Sequence, residues 1–143
     1  LADEIFIPPE GPPRTQTPSA VVYQQMGQDN IRRMIQDLYR ELERSSIRDM
    51  FPTDMERSAE KSALFFIGFL GGPPLYQETY GPPMLRKRHF PFAITEEARQ
   101  VWLSCFDRIL DNAAEQYDFP PDQVPVFRDF LHAFSGWMVN RQS

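Results

Sequence analysis

Gly71-Gly72-Pro73-Pro74-Leu75-Tyr76, Met84-Leu85-Arg86-Lys87-Arg88-His89-Phe90-Pro91-Phe92 and Trp102-Leu103-Ser104-Cys105, in that order, are the words that decide how this chain folds. The first is a strong breaker, because paired glycines and prolines cannot continue a helix. The second sets a histidine just before a proline, walls it with Leu85, Phe90 and Phe92, and leads into it through three cations. The third lies inside an apolar helical pattern, with Trp102 and Cys105 on its inner face.

Upstream of the breaker the pattern is helical from Ser19 onward. Ser19 can cap a short first helix that Gly27 would end. Ile31, Met34, Ile35, Leu38, Tyr39 and Leu42 then recur at helical spacing and form one buried stripe. A tyrosine on such a stripe needs a partner for its hydroxyl, a backbone carbonyl or a ligand. Thr53-Asp54-Met55-Glu56 reads as a capping box opening the next helix. That helix carries Ala59, Ala63, Phe66 and Leu70 on one stripe, and Ser58, Ser62, Phe65 and Phe69 on another. The two serines, four residues apart, share an edge. Beyond the breaker a loop-rich stretch is expected up to His89, with Gly81-Pro82-Pro83 in its middle. Thr95 caps a further helix with Glu96 and Glu97 in its first turn, where negative charge suits the helix dipole. Its buried face holds Ala98, Trp102, Cys105 and Ile109. Pro120, Pro121 and Pro125 separate it from a last helix with Phe127, Phe130, Leu131, Phe134 and Met138 on one stripe. No strand, repeat or Gly-rich phosphate loop is evident, so the chain reads as all-α.

Composition narrows the function. At 143 residues the chain suits one domain, and its net charge of −5 argues against a general nucleic-acid binder. The Arg86-Lys87-Arg88 cluster is a solvated loop or a clamp for a small dianion. Cys105 is the only cysteine, which excludes an intrachain disulfide and a cysteine-based metal cluster, and its place in an apolar pattern marks it as core. No apolar run approaches the ~20 residues needed to cross a bilayer, so no membrane partner is expected. The start shows no signal-peptide pattern, and a reducing, cytoplasmic setting is the expectation. Residues 1–18 hold Pro8, Pro9, Pro12, Pro13 and Pro18 and are expected to be extended or disordered, with Ile5, Phe6 and Ile7 as an anchor onto the body. The domain division is therefore 1–18, a proline-rich extension, and 19–143, the helical domain.

His89 is open to two readings on its residues alone. An imidazole with apolar neighbours and nearby cations suits an axial haem ligand, since the neighbours cover the porphyrin and the cations meet its propionates. A hydrogen-bonded place in the core is the commoner fate of such a residue. The other histidine, His132, falls about 140° around its helix from the apolar stripe, assuming ~3.6 residues per turn, and is a poor ligand.

The Gly-Gly-Pro word, the Leu-x-x-Arg-His-x-Pro-Phe word and the Trp-Leu-x-Cys word, in this order and spacing, closely resemble those of the group II truncated haemoglobins. The resemblance runs from about Tyr23 to Asn140. It implies a two-over-two helical sandwich around haem b, with His89 as the proximal ligand to iron. Tyr39 matches the distal tyrosine and Trp102 the distal tryptophan. Phe51 matches an aromatic that packs on the haem, and Ser58 and Ser62 the distal-helix positions facing bound ligand. Tyr76, Arg86 and Arg88 lie where the group contacts the propionates, and Phe92 belongs to the haem-binding set. Two departures stand out: Pro82 occupies a position that often carries histidine, and Ser62 one that often carries a longer side chain.

The resemblance implies binding of dioxygen, carbon monoxide, nitric oxide or another small ligand. Tyr39 and Trp102 are expected to donate hydrogen bonds to it, which favours scavenging, sensing or redox chemistry with nitric oxide or peroxide over delivery. A nitric oxide dioxygenase or peroxidase-like activity and a reductase partner are open, as is the oligomeric state. The rival is a haem-free helical interaction module using the proline-rich start as a docking peptide. A haem-based sensor, with that extension contacting a partner, ranks below both.

Overall fold

The computed structural model describes residues 5–142, and every regular element among the described residues is helical. Helix α1 spans Val21–Glu43. The Ser19 hydroxyl accepts from the Val21 N–H at 3.2 Å, so Ser19 supports the start without being the formal cap, which is Ala20. Gly27, expected to end a short first helix, instead kinks one longer element, with φ 77° and ψ 168°. Only glycine adopts that combination cheaply. Past the kink, Ile31, Met34, Ile35, Leu38 and Leu42 are buried as the stripe requires, and Tyr39 is half-buried.

Helix α2 (Met55–Phe69) is capped by Asp54, whose carboxylate accepts from the Arg57 N–H at 3.1 Å. The expected box therefore starts one residue late: Thr53 contributes only its carbonyl, to the Met55 N–H at 3.1 Å. The segment between the breaker and His89 is less irregular than its prolines suggest. It contains α3 (Leu75–Tyr80) and a single turn, α4 (Leu85–Arg88), whose C-cap is His89 itself. Thr95 caps α5 (Glu96–Leu110) as expected, accepting from the Ala98 N–H at 3.1 Å. The inner face of α5 is Ala98, Leu103, Cys105, Phe106 and Leu110, whereas Trp102 and Ile109, expected there, are half-buried. A short α6 (Ala113–Tyr117) precedes α7 (Val124–Met138). Pro125 sits in the first turn of α7 rather than before it, where its missing N–H leaves no bond unmade.

Helix α1 packs on α2 and α5 on α7, and α1 reaches across to α5 and α6. These two pairs are the layers of a two-over-two helical sandwich. Aromatic rings join them: Phe66 of α2 lies 5.8 Å from both Phe106 of α5 and Phe127 of α7, edge-on in each case, and Phe106 and Phe127 meet at 5.7 Å. Each such edge-to-face pair contributes about 0.5–1.5 kcal/mol beyond the area it buries. Cys105 is fully buried among them, and burial pushes its thiol above the usual range.

The Gly71-Gly72 pair lets α2 end against the start of α1. Gly71 has φ +109°, and a Cβ there would meet the Ala20 backbone at 2.6 Å. A Cβ on Gly72 would lie 2.5 Å from the Tyr23 ring. The contact is sealed by the Tyr23 N–H donating to the Leu70 carbonyl at 3.0 Å.

Residues 5–18 contain no helix and run along the body. The Phe6 N–H donates to the Asn140 carbonyl at 2.8 Å, Pro8 and Pro18 are buried, and the Ser19 N–H donates to Gln123 Oε1 at 2.8 Å. Among the described residues no helix is long and apolar enough to cross a membrane.

Candidate functional site

A cavity of about 320 Å³ opens between the layers. Nine of the ten residues singled out from the sequence line it: Tyr39, Phe51, Ser58, Ser62, Tyr76, Arg88, His89, Phe92 and Trp102. Arg86 is the exception. Its guanidinium lies 4.5 Å over the Trp137 ring and 5.4 Å over Phe90, and Nη2 donates to the Phe6 carbonyl at 2.8 Å. It therefore serves the junction with the N-terminal segment and does not reach the cavity wall.

The imidazole of His89 is oriented by its own helical turn. Its Nδ1 lies 2.6 Å from the Leu85 carbonyl, which can only accept, so the proton sits on Nδ1. Nε2 is left with its lone pair free. Burial holds the imidazole below its ordinary pKa, the Leu85 carbonyl partly opposes this, and the charge of Lys61 adds to the lowering. A neutral ring with an available nitrogen is the metal-binding form.

On the α1 and α2 walls, Tyr39 packs edge-on against Phe51 at 5.8 Å, and its hydroxyl lies beside Ser62. Burial raises the pKa of that hydroxyl, with Ser62 pulling slightly the other way, so Tyr39 remains a proton-bearing donor. From α5, Trp102 packs edge-on against Phe106 at 5.2 Å, and its indole N–H makes no hydrogen bond among the described residues. The helical stripes explain these placements. Tyr39, Ser58, Ser62, Phe65 and Trp102 are half-buried because each stands at the edge of a buried stripe and turns toward the cavity.

The remaining wall is mostly apolar, with Ile47, Met50, Phe65, Phe66, Ile94, Phe134 and Met138. Its charged members are Lys61, Arg88 and Arg99, with no carboxylate. Arg99 is spoken for by Glu96 at 2.9 Å and by the Ser135 hydroxyl at 3.0 Å. Arg88 donates to the Tyr80 and Pro82 carbonyls at 2.8 and 3.0 Å and lies 5.6 Å over the Tyr76 ring. Lys61 lies 4.8 Å over Tyr80. Neither Lys61 nor Arg88 has an acidic partner among the described residues. A flat apolar group with an anionic edge and one axial coordination site fits this donor set, which is the chemistry of haem.

Sequence reasoning missed Lys61, the Leu85 carbonyl and the α7 wall of Phe134, Ser135 and Met138 as site residues. Lys61 follows Ser58 by three positions and was legible as a neighbour on the same helical edge. Leu85 precedes His89 by four, the helical hydrogen-bond offset, but becomes a signal only once residues 85–88 are recognised as a turn of helix. His132 lies exposed on α7 near Asp107, at 3.8 Å, away from the cavity.

Comparison with known proteins agrees with this fold. The bacterial-like globin family model matches residues 21–136. Group 2 truncated hemoglobin YjbI of Bacillus subtilis is 38% identical over 91 residues, covering 63% of this chain and 69% of its own. Among solved structures, phosphate-bound Hell's gate globin IV superposes with a TM-score of 0.82 at 34% identity, over 92% of this chain and 81% of that one. The group II truncated hemoglobin of Bacillus anthracis does so with a TM-score of 0.74 at 30% identity, over 85% and 97%. The fold and cavity define a globin of the two-over-two type. This chain belongs to the bacterial-like globin family, as one of its group II truncated haemoglobins. Membership brings haem and the binding of small diatomic ligands such as dioxygen, and sets aside the haem-free interaction module.

Proposed function

We propose that this globin holds haem b on His89 Nε2 and binds dioxygen under the hydroxyl of Tyr39 and the indole N–H of Trp102, releasing it slowly. Residues 19–143 act as the globin domain and 1–18 as an extension to it. Haem, when bound, would supply an iron that takes a small ligand, and the chain does the rest. Leu85 keeps His89 in the tautomer that offers Nε2. Phe51, Phe92 and the other apolar residues exclude water, and Tyr76 and the Arg88 charge receive the propionate edge. Tyr39 and Trp102 hold protons directed to a ligand that gathers negative charge, and Ser58 and Ser62 tune that network. The single observation carrying this reading is that Tyr39, Ser62, Trp102 and a His89 with its Nδ1 already engaged line one cavity.

A hydrogen bond to a charged group contributes about 1.5–3 kcal/mol, which slows release by roughly one to two orders of magnitude. Slow release suits scavenging, sensing or redox turnover with nitric oxide or peroxide, with a separate reductase in a reducing cytoplasm, better than delivery. The first test is the visible spectrum of the purified protein with haemin. Wild type is expected to give a Soret band that shifts with carbon monoxide after reduction, and His89→Ala to lose that behaviour. Dioxygen dissociation from Tyr39→Phe and Trp102→Phe, followed by stopped flow, is expected to be ten- to a hundredfold faster than from wild type. Unchanged rates would sink the donor roles.

A further inference from the structure

We infer that Asn140 is a positioning residue for His89, and that the chain around Phe6 latches it in place from outside the globin core. Asn140 is fully buried, and every polar group it carries is used. Its Nδ2 donates to the His89 carbonyl at 3.2 Å and to the Phe92 carbonyl at 3.0 Å. Its Oδ1 accepts from the Ile94 N–H at 2.9 Å, and its own N–H donates to the Ile94 carbonyl at 3.0 Å. One side chain thus ties down both ends of the non-helical segment from His89 to Ile94.

The hub is itself fastened. The Asn140 carbonyl accepts from the Phe6 N–H at 2.8 Å, and the Phe6 carbonyl accepts from Arg86 Nη2 at 2.8 Å. Arg86 stands on α4, three residues before His89, and is pinned against Trp137 of α7. The main chain at Phe6 therefore bridges the two supports of the histidine: the turn that precedes it and the asparagine that follows it in space. Both Phe6 and Asn140 lie outside residues 21–136, where the family model matches. A carboxamide is the side chain that suits the hub, since it alone offers two donors and an acceptor on a short stem. Aspartate keeps the shape and reverses the donors, setting carboxylate oxygens against two carbonyls.

This inference rests on the haem reading above for its consequence, and on the hydrogen bonds alone for its mechanics, so the two are separable. Full-length wild type, Asn140→Asp, Phe6→Pro, Phe6→Ala and His89→Ala are compared. Phe6→Pro removes the N–H that reaches Asn140 together with the half-buried ring, Phe6→Ala removes the ring alone, and both leave the hub's own side chain intact. Hydrogen exchange at the amides of residues 89–94 is read in the haem-free and haem-loaded proteins. The iron–histidine stretch is read by resonance Raman in the reduced form, and haem transfer to excess apomyoglobin by absorbance. Asn140→Asp keeps an oxygen for the Ile94 N–H but sets the other against the His89 and Phe92 carbonyls, which displaces the side chain. That variant and Phe6→Pro, but not Phe6→Ala, are expected to speed exchange at Ile94 by about tenfold, the factor one hydrogen bond of ordinary net strength supplies. They are also expected to shift or broaden the iron–histidine band and to speed haem transfer by a similar factor, with exchange in α2 unchanged. Wild-type exchange and an unmoved band in Asn140→Asp and Phe6→Pro would overturn the inference. Should Asn140→Asp not fold, Phe6→Pro decides on its own. A wild-type spectrum in His89→Ala would refute the haem reading while leaving the exchange result to judge the latch.

Discussion

The two sides of the cavity are built by different means. On the α1 and α2 side, Tyr39, Ser58, Ser62 and Phe65 are placed by helical periodicity: the neighbouring stripe is buried, and the edge residues follow. On the His89 side there is one helical turn and an irregular segment to Ile94, fixed by hydrogen bonds with the Leu85 carbonyl and the Asn140 side chain. The first side draws its geometry from packing, which is spread over many contacts and forgives small changes. The second draws it from a small number of directed polar contacts. A site can combine a redundant wall with a brittle one, and the brittle one carries His89, the proposed iron ligand.

The comparison predicts unequal responses. Phe66→Ala, which removes the ring joining α2 to α5 and α7, is expected to cost about 3–5 kcal/mol in denaturant unfolding, through lost transfer energy and the cavity left behind. It should do so without changing the iron–histidine band, because packing on the helical side does not position His89. A shifted band would mean that the two walls are coupled through the core. Asp54→Ala deletes the cap of α2 and is expected to cost about 1 kcal/mol, with the dioxygen dissociation rate unchanged. A rate change from this cap, which does not line the cavity, would show that the α2 wall is less redundant than its packing implies. The smallest effect is expected from Glu41→Gln, which breaks the partly exposed pair with Arg108 at 2.7 Å between α1 and α5. Surface pairs contribute at most about 1 kcal/mol, and this one should fade further in high salt.

The same contrast explains what was legible in the sequence. Tyr39, Ser58, Ser62 and Trp102 lie on long helices, where a period of 3.6 residues repeats often enough to identify a face, and all four reach the cavity. Their half-burial was not legible, because an apolar stripe looks the same whether it meets another helix or a ligand-sized space. The short helices α3 and α4 look like loop in the sequence, since four to six residues between prolines contain no period to detect. The start of α2 falls one residue past the box that the sequence suggests, because Thr53 and Asp54 are both competent caps and only the backbone geometry at Asp54 settles which one serves. Adjacency in sequence groups Arg86 with Arg88, yet a helical turn points the two guanidinium groups to different places. Asn140 gave no signal at all. Its role depends on main-chain atoms about fifty positions away, and a lone asparagine after a helix reads as a C-terminal cap.

The Gly71-Gly72 crossing bears on the cavity although neither residue touches it. Two absent methyl groups let the end of α2 press against the beginning of α1, and those helices carry Ser62 and Tyr39. An alanine at either glycine would act as a wedge at the vertex of an angle, spreading the arms where the ligand sits while every lining residue stayed the same. The bore of this cavity is thus gauged at a remote corner, and relatives with identical linings can differ in what they admit through a change that no survey of the lining would reveal.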